Sequence, residues 1–130
     1  MRPAFTEFYE TFKSRILISE SMFKSSEIKQ LLELRYIPEF ENHWLRVSKL
    51  VDEMNKSDPL DAESKEAILK MKQASYQAAF RWTQNSELAG LVYDDIELIG
   101  IALAHDYNDE WLTALKMSYM RNCFPSGHLT

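Results

Sequence analysis
The chain carries no glycine before Gly90, and only Gly100 and Gly127 after it. Tight β-hairpins need residues that tolerate positive φ, usually Asn-Gly or Asp-Gly, and neither pair occurs. No alternation of apolar and polar residues lasts long enough to make a half-buried strand. The four prolines fall where helices begin or end. The chain is therefore expected to be all-α, a single-domain bundle of about six helices over residues 1–130.

Apolar residues recurring at three and four positions mark the helices. A first is expected over residues 3–23, with Phe5, Phe8, Phe12, Ile16 and Ser19 inward. Pro3 suits an early position, where a missing N–H costs nothing. Ser25 and Ser26 offer caps for a short helix carrying Ile28, Leu31, Leu32 and Arg35, which Pro38 ends. A third, over residues 38–55, lines up Phe40, Trp44, Val47, Val51 and Met54. In SDPLD, residues 57–61, Asp58 can cap, Pro59 fits the first turn and Asp61 complements the positive helix end. The helix that follows, to residue 83, should bury Ile68, Met71, Ser75, Tyr76, Ala79 and Trp82. NSELAGLV reads as a short, glycine-punctuated turn of helix. Asp94 and Glu97 then have capping-box spacing and would open a helix bearing Ile96, Ile99 and Leu103. Asn108 or Asp109 opens the last, with Trp111, Leu112, Leu115 and Tyr119 inward, ending near Phe124 and Pro125.

Charge is distributed unevenly. Up to Ser57 nine bases match nine acids, so the whole net charge of −5 lies in the second part. Between Trp82 and Leu115 there is no Lys or Arg, against Glu87, Asp94, Asp95, Glu97, Asp106, Asp109 and Glu110. Such a field repels phosphate backbones and anionic membranes and attracts basic proteins, so nucleic-acid binding is disfavoured. The single cysteine, Cys123, permits no internal disulfide, which suits a reducing cytosol. The start, MRPAFTEFYE, lacks the apolar segment of a signal peptide, and no apolar run approaches membrane-span length. A soluble cytoplasmic protein is the expectation.

No chemical motif stands out. A calcium loop started at Asp106 would place Trp111 where the sharp turn needs Gly and Met117 where a bidentate Glu is needed. Only His43 has a carboxylate at usable helical spacing, Glu39, and no second pair completes a metal set. His105 is better read as closing a helix, where the dipole favours a cation. Gly-rich phosphate loops, GxSxG and HExxH are absent. Asp94 and Asp95 are adjacent, but neighbours on a helix point about 100° apart, which spoils them as an acid–base pair. The chain reads as a non-enzyme without cofactor or metal.

HDYNDEW, residues 105–111, packs one imidazole, three carboxylates and two aromatic rings into a corner between helices. Capping needs only one of those acids. Tyr107 there, and Tyr93 beside DDIE at residues 94–97, precede expected helix starts next to acids. That is a common anchor composition at protein interfaces, and equally that of a hydrophobic staple. The candidate partner-binding residues are accordingly Tyr93, Asp94, Asp95, Glu97, Asp106, Tyr107, Asp109 and Glu110.

Residues 80–125, with DDIELIGIAL followed by DYNDEWLTALKMSY and a closing CFP, resemble the C-terminal part of small helical bacterial immunity proteins. Those proteins protect cells from toxins of contact-dependent and other polymorphic systems. The resemblance covers about a third of the chain and carries no residue role by position. It implies no catalysis and a cognate toxin as partner, often a nuclease, whose active site or substrate access is blocked. A basic toxin would suit the acidic half of the chain. The competing class is a helical adaptor or regulatory protein-binding subunit, which would share the fold and the acidic face.

Overall fold
In the computed structural model, which describes residues 1–15, 17–23 and 27–129, six α-helices and no strand are found among the described residues. They are α1 (Pro3–Ser14), α2 (Ile28–Arg35), α3 (Pro38–Ser57), α4 (Ala62–Thr83), α5 (Ser86–Ala104) and α6 (Glu110–Met120). The all-α expectation holds.

The centre of the bundle is α5, in which ten of 19 residues are buried, among them Leu88, Val92, Ile96, Ile99 and Leu103. It forms an antiparallel hairpin with α4 and also touches α1, α3 and α6. The inner stripe of α4 is Ser64, Ile68, Met71, Ser75 and Ala79, and its small members let the two backbones approach. At the tightest point a Cβ on Gly100 would lie 3.0 Å from Ile68 Cγ1. Around this hairpin, α1 contributes Phe5 and Phe8, α3 contributes Phe40, Val47 and Val51, and α6 contributes Trp111, Leu112, Leu115 and Tyr119 to one continuous core.

Helix ends follow local chemistry, and several differ from the sequence expectation. The first helix stops at Ser14 rather than near residue 23. Arg15 is extended and donates to the Met120 carbonyl, and Ser19 donates to Asn122 Oδ1, so side-chain bonds to the end of α6 draw the chain out of its helix. Among the described residues that follow before α2, Glu20–Met22 form a 3-10 turn. Ile16, Ser25 and Ser26, assigned above to an inward position and to caps, lie outside the described residues. Pro38 occupies the first turn of α3, and Met54 and Trp44 are only half-buried.

Asp61, not Asp58, caps α4, accepting from the Ser64 amide at 2.7 Å. The stripe on α4 then continues from Ala79 to the half-buried Thr83, which leaves Trp82 outside and 42 % exposed, contrary to expectation. Helix α5 is likewise longer than foreseen. Asn85 caps it by accepting from the Leu88 amide, and it passes Gly90 without a break because Leu88, Ala89 and Val92 extend the buried stripe of Ile96 and Ile99. Asp94 and Glu97 are therefore mid-helix residues, not a capping box.

Overpacking the hairpin should be visible in stability. Gly100→Val is expected to lower it by about 1–3 kcal/mol, read from the urea midpoint. In an Ile68→Ala background the loss should shrink, since that change removes the Cγ1 that the new side chain would meet. Equal losses in both backgrounds would refute the steric account.

Candidate partner-binding surface
Two neighbouring acids on α5 have opposite fates, because successive helical residues diverge by about 100°. Asp95 points inward and is 0 % exposed. It pairs with the buried Arg35 guanidinium from α2, accepts from Trp44 Nε1 of α3 at 2.9 Å, and accepts from the Tyr119 hydroxyl of α6 at 2.5 Å. Arg35 in turn lies 4.4 Å from the Phe40 ring centroid and donates to the Pro125 carbonyl. Burial tends to discharge it, but Asp95 more than compensates and its pKa is raised. Burial first, and Asp95 second, push the Tyr119 phenol well above its ordinary pKa, so it stays a donor. A residue locked in this way meets no partner. Asp95 is thus removed from the candidate surface.

Asp94 faces outward at the rim of a groove between α3 and α5. Two cavities share it. One, of about 200 Å³, is lined by Arg35, Tyr36, Phe40, Glu41, Trp44, Leu45, Leu91 and Asp94. The other, of about 110 Å³, includes Trp44, Ser48, Asp52, Asn55, Asp94, Glu97 and Ile101. Its walls thus combine apolar side chains with the carboxylates of Glu41, Asp52, Asp94 and Glu97. Partial burial first, then the charges of Asp95 and Glu97, raise the Asp94 pKa against the opposing pull of Arg35 and Lys72. Among the described residues Asp94 and Glu41 have no ion-pair partner within 4.0 Å. Glu87, at the head of α5, accepts from the Tyr36 hydroxyl at 2.7 Å. Burial and then that bond raise Tyr36 to a pKa of about 12.

The other α5 candidates face the α4 seam. Glu97 pairs with Lys72, whose ammonium also lies 5.0 Å from the Tyr93 ring centroid. Tyr93 stands edge-on to Tyr76, with centroids 6.3 Å apart. It does not precede a helix, as the sequence had suggested, but braces α4 against α5.

The HDYNDEW corner packs on the other flank of α3, and each of its residues has a structural task. His105 ends α5 and its Nε2 lies 3.1 Å from Asn55 Oδ1. Asp106 adopts φ 58°, and the Tyr107 amide bonds back to the Ala102 carbonyl at 2.8 Å. That is a Schellman closure, with Asp at the left-handed position that usually takes Gly or Asn. Tyr107 donates its hydroxyl to Asp109. Asn108 accepts from Thr113, and Asp109 caps α6 by accepting from the Leu112 amide at 2.7 Å. Partial burial opposes its ionisation, but the Leu112 amide, Tyr107 and Arg46 together hold the Asp109 carboxyl below its ordinary pKa. Arg46 reaches it at 3.0 Å. Glu110 occupies the first turn, where the helix dipole favours it, and Trp111 is buried against Phe40 and His43. The seven residues form a helix corner whose acid content largely follows from folding.

The structure thus scatters the candidates: Asp94 on the groove side of α3, Glu97 between the groove and α4, Tyr93 against α4, Asp95 in the core, and Asp106, Tyr107, Asp109 and Glu110 on the corner side. It adds Tyr36, Glu41, Trp44, Leu45 and Leu91, which sequence reasoning passed over. Leu45 was the available signal, an apolar residue off the stripe of α3, and it is 61 % exposed. The histidines are engaged elsewhere: His43 stacks on Trp111, and Glu39, which had looked like the metal partner of His43, pairs instead with His128. Among the described residues no group of three or more His, Cys, Asp and Glu could hold a metal ion, and no helix is long and apolar enough to cross a membrane.

Comparison with known proteins gives one family. The family model for Immunity protein PIM1 matches residues 7–126. No curated protein matches the chain.

Adjacent acids should respond oppositely to substitution. Asp95→Ala leaves Arg35 buried without its counter-charge and is expected to cost about 3–5 kcal/mol in denaturant unfolding. Asp94→Asn should change stability by less than about 0.5 kcal/mol, as outward substitutions do. At the corner, Asp109→Ala should cost about 1 kcal/mol through loss of the cap. Asp106→Gly should cost nothing, because Gly relieves the left-handed backbone.

Proposed function
Because the chain belongs to the Immunity protein PIM1 family, we propose that it is a non-enzymatic immunity protein that binds and neutralises a cognate toxin. The family match over residues 7–126 is the observation that carries this reading. It acts by occupying a functional surface of the toxin, and the toxin is basic, of the kind that must hold phosphates.

Charge supports the second half of this reading. Of the seven acids between Trp82 and Leu115, Asp95, Glu97 and Asp109 are paired internally with Arg35, Lys72 and Arg46, and Glu87 accepts from the Tyr36 hydroxyl. Asp94, Glu110 and the weakly paired Asp106, 4.0 Å from Arg2, keep their field directed outward. These charges steer a basic partner and repel polyanions. Neutralisation takes place in the cytoplasm, without a cofactor, nucleic acid or membrane surface.

The test is co-expression with the polypeptide that the tagged chain captures from a lysate of its own host. That polypeptide alone should arrest growth, and the chain should restore it. The association rate should fall steeply as salt is raised, and the amides Asp94→Asn, Asp106→Asn and Glu110→Gln together should flatten that dependence. A chain that protects equally well when its outward acids are removed, with no change in salt response, defeats the electrostatic part of the proposal. Recovery of a housekeeping assembly with no protective effect would favour an adaptor.

A further inference from the structure
We infer that the larger cavity of the α3–α5 groove receives an arginine side chain presented by the partner protein. The identity of that partner rests on the immunity reading; the chemistry of the cavity does not. Its walls are the Trp44 indole, Leu45, Leu91 and the 43 % exposed Tyr36, and its rim carries the carboxylates of Glu41 and Asp94. The remaining charged group, Arg35, is satisfied by Asp95 and the Pro125 carbonyl, so it contributes little net field.

Elimination among side-chain chemistries favours a guanidinium. An anion would meet two carboxylates with no free cation among the lining residues. A purely apolar side chain would desolvate Glu41 and Asp94 without replacing their hydrogen bonds. An ammonium answers the charge but is strongly hydrated and makes poor use of flat apolar walls. A guanidinium is planar and weakly hydrated; it stacks on indole and phenol faces while its N–H fork meets carboxylates. The raised pKa of Asp94 agrees in direction, since a carboxylate that partial burial, and then like charges, disfavour in its ionised form gains from an incoming cation. Leu45 supports the same occupant, for an exposed leucine beside the cavity covers the aliphatic stem that leads a guanidinium inward.

The test uses the full, isotope-labelled chain titrated with acetyl-arginine amide and followed by NMR. Saturable shifts are expected at the Trp44 indole N–H and at the backbone amides of Leu45, Leu91 and Asp94. Asp94→Asn should weaken the affinity about tenfold while leaving the spectrum folded. Non-saturating shifts, shifts centred on residues 105–110, or equal binding of acetyl-lysine amide would overturn the assignment. Neutralisation of the toxin by the unaltered chain is scored separately. Protection without arginine binding sinks only the cavity proposal, whereas arginine binding without protection sinks only the immunity reading.

Discussion

The buried carboxylate of Asp95 fixes how the helices meet. One residue of α5 gathers a guanidinium from α2, an indole from α3 and a phenol from α6. Taking an ion pair out of water costs several kcal/mol per ion, so this arrangement is weak evidence for stability as such. Its value is geometric. Hydrogen bonds are directional, and a carboxylate with its partners assigned tolerates only one relative placement of the elements that supply them. Apolar packing of leucines and isoleucines along α4 and α5 would accept small slides; Asp95 does not. Among the described residues no buried side-chain polar atom lacks a partner, so the network is closed.

The helices were legible in the sequence because they rest on period and on caps, both local. The inward stripe of α6 was read residue for residue and those of α3 and α4 in part, since Trp44, Met54 and Tyr76 are only half-buried and Trp82 is exposed; the absence of early glycine excluded hairpins. The failures share one cause. Asp94 and Glu97 have the spacing of a capping box, and only tertiary context reveals that Asn85 had already opened the helix nine residues earlier. Buried Asp95 could not be foreseen, because an aspartate pays for burial through partners at Arg35, Trp44 and Tyr119, far away in sequence. Yet the clue was present: adjacent helical residues point about 100° apart, so one of two neighbouring acids had to face differently from the other. The same blindness to distant partners hid the exit of the chain at Arg15, which bonds to Met120.

Acid content alone misled about function in a related way. HDYNDEW drew attention because its charges exceed what one cap requires, but a corner that closes one helix and opens another has several separate uses for short polar side chains. A left-handed residue, an acceptor for the next hydroxyl, a cap and a first-turn acid account for Asp106, Asn108, Asp109 and Glu110 in turn. The groove left fewer marks in the sequence. Nothing in the sequence sets Glu41 and Asp52 apart from other charges on α3, and a single apolar residue off the stripe, such as Leu45, is common on helix surfaces. Only when α3 is laid beside α5 do these residues enclose a cavity.

Fold and recognition then become one problem, because Trp44 belongs to both. Its ring nitrogen donates to Asp95 inside the bundle, while its indole face walls both cavities of the groove. The bond that sets the placement of α3 against α5 therefore also sets the width of the groove and the angle of the indole. Association is limited by the freedom lost on binding, and walls already held by the core lose little. Asp94 gains from the same arrangement: its neighbour anchors the helix turn, so the outward carboxylate is presented from a rigid backbone rather than a loop. The corner at residues 105–110 is also rigid, but its acids are largely committed to closing helices and to Arg46. Among the described residues the groove's Glu41 and Asp94 have no ion-pair partner within 4.0 Å. A surface in that condition is complete only when a cation from outside supplies what the fold withholds.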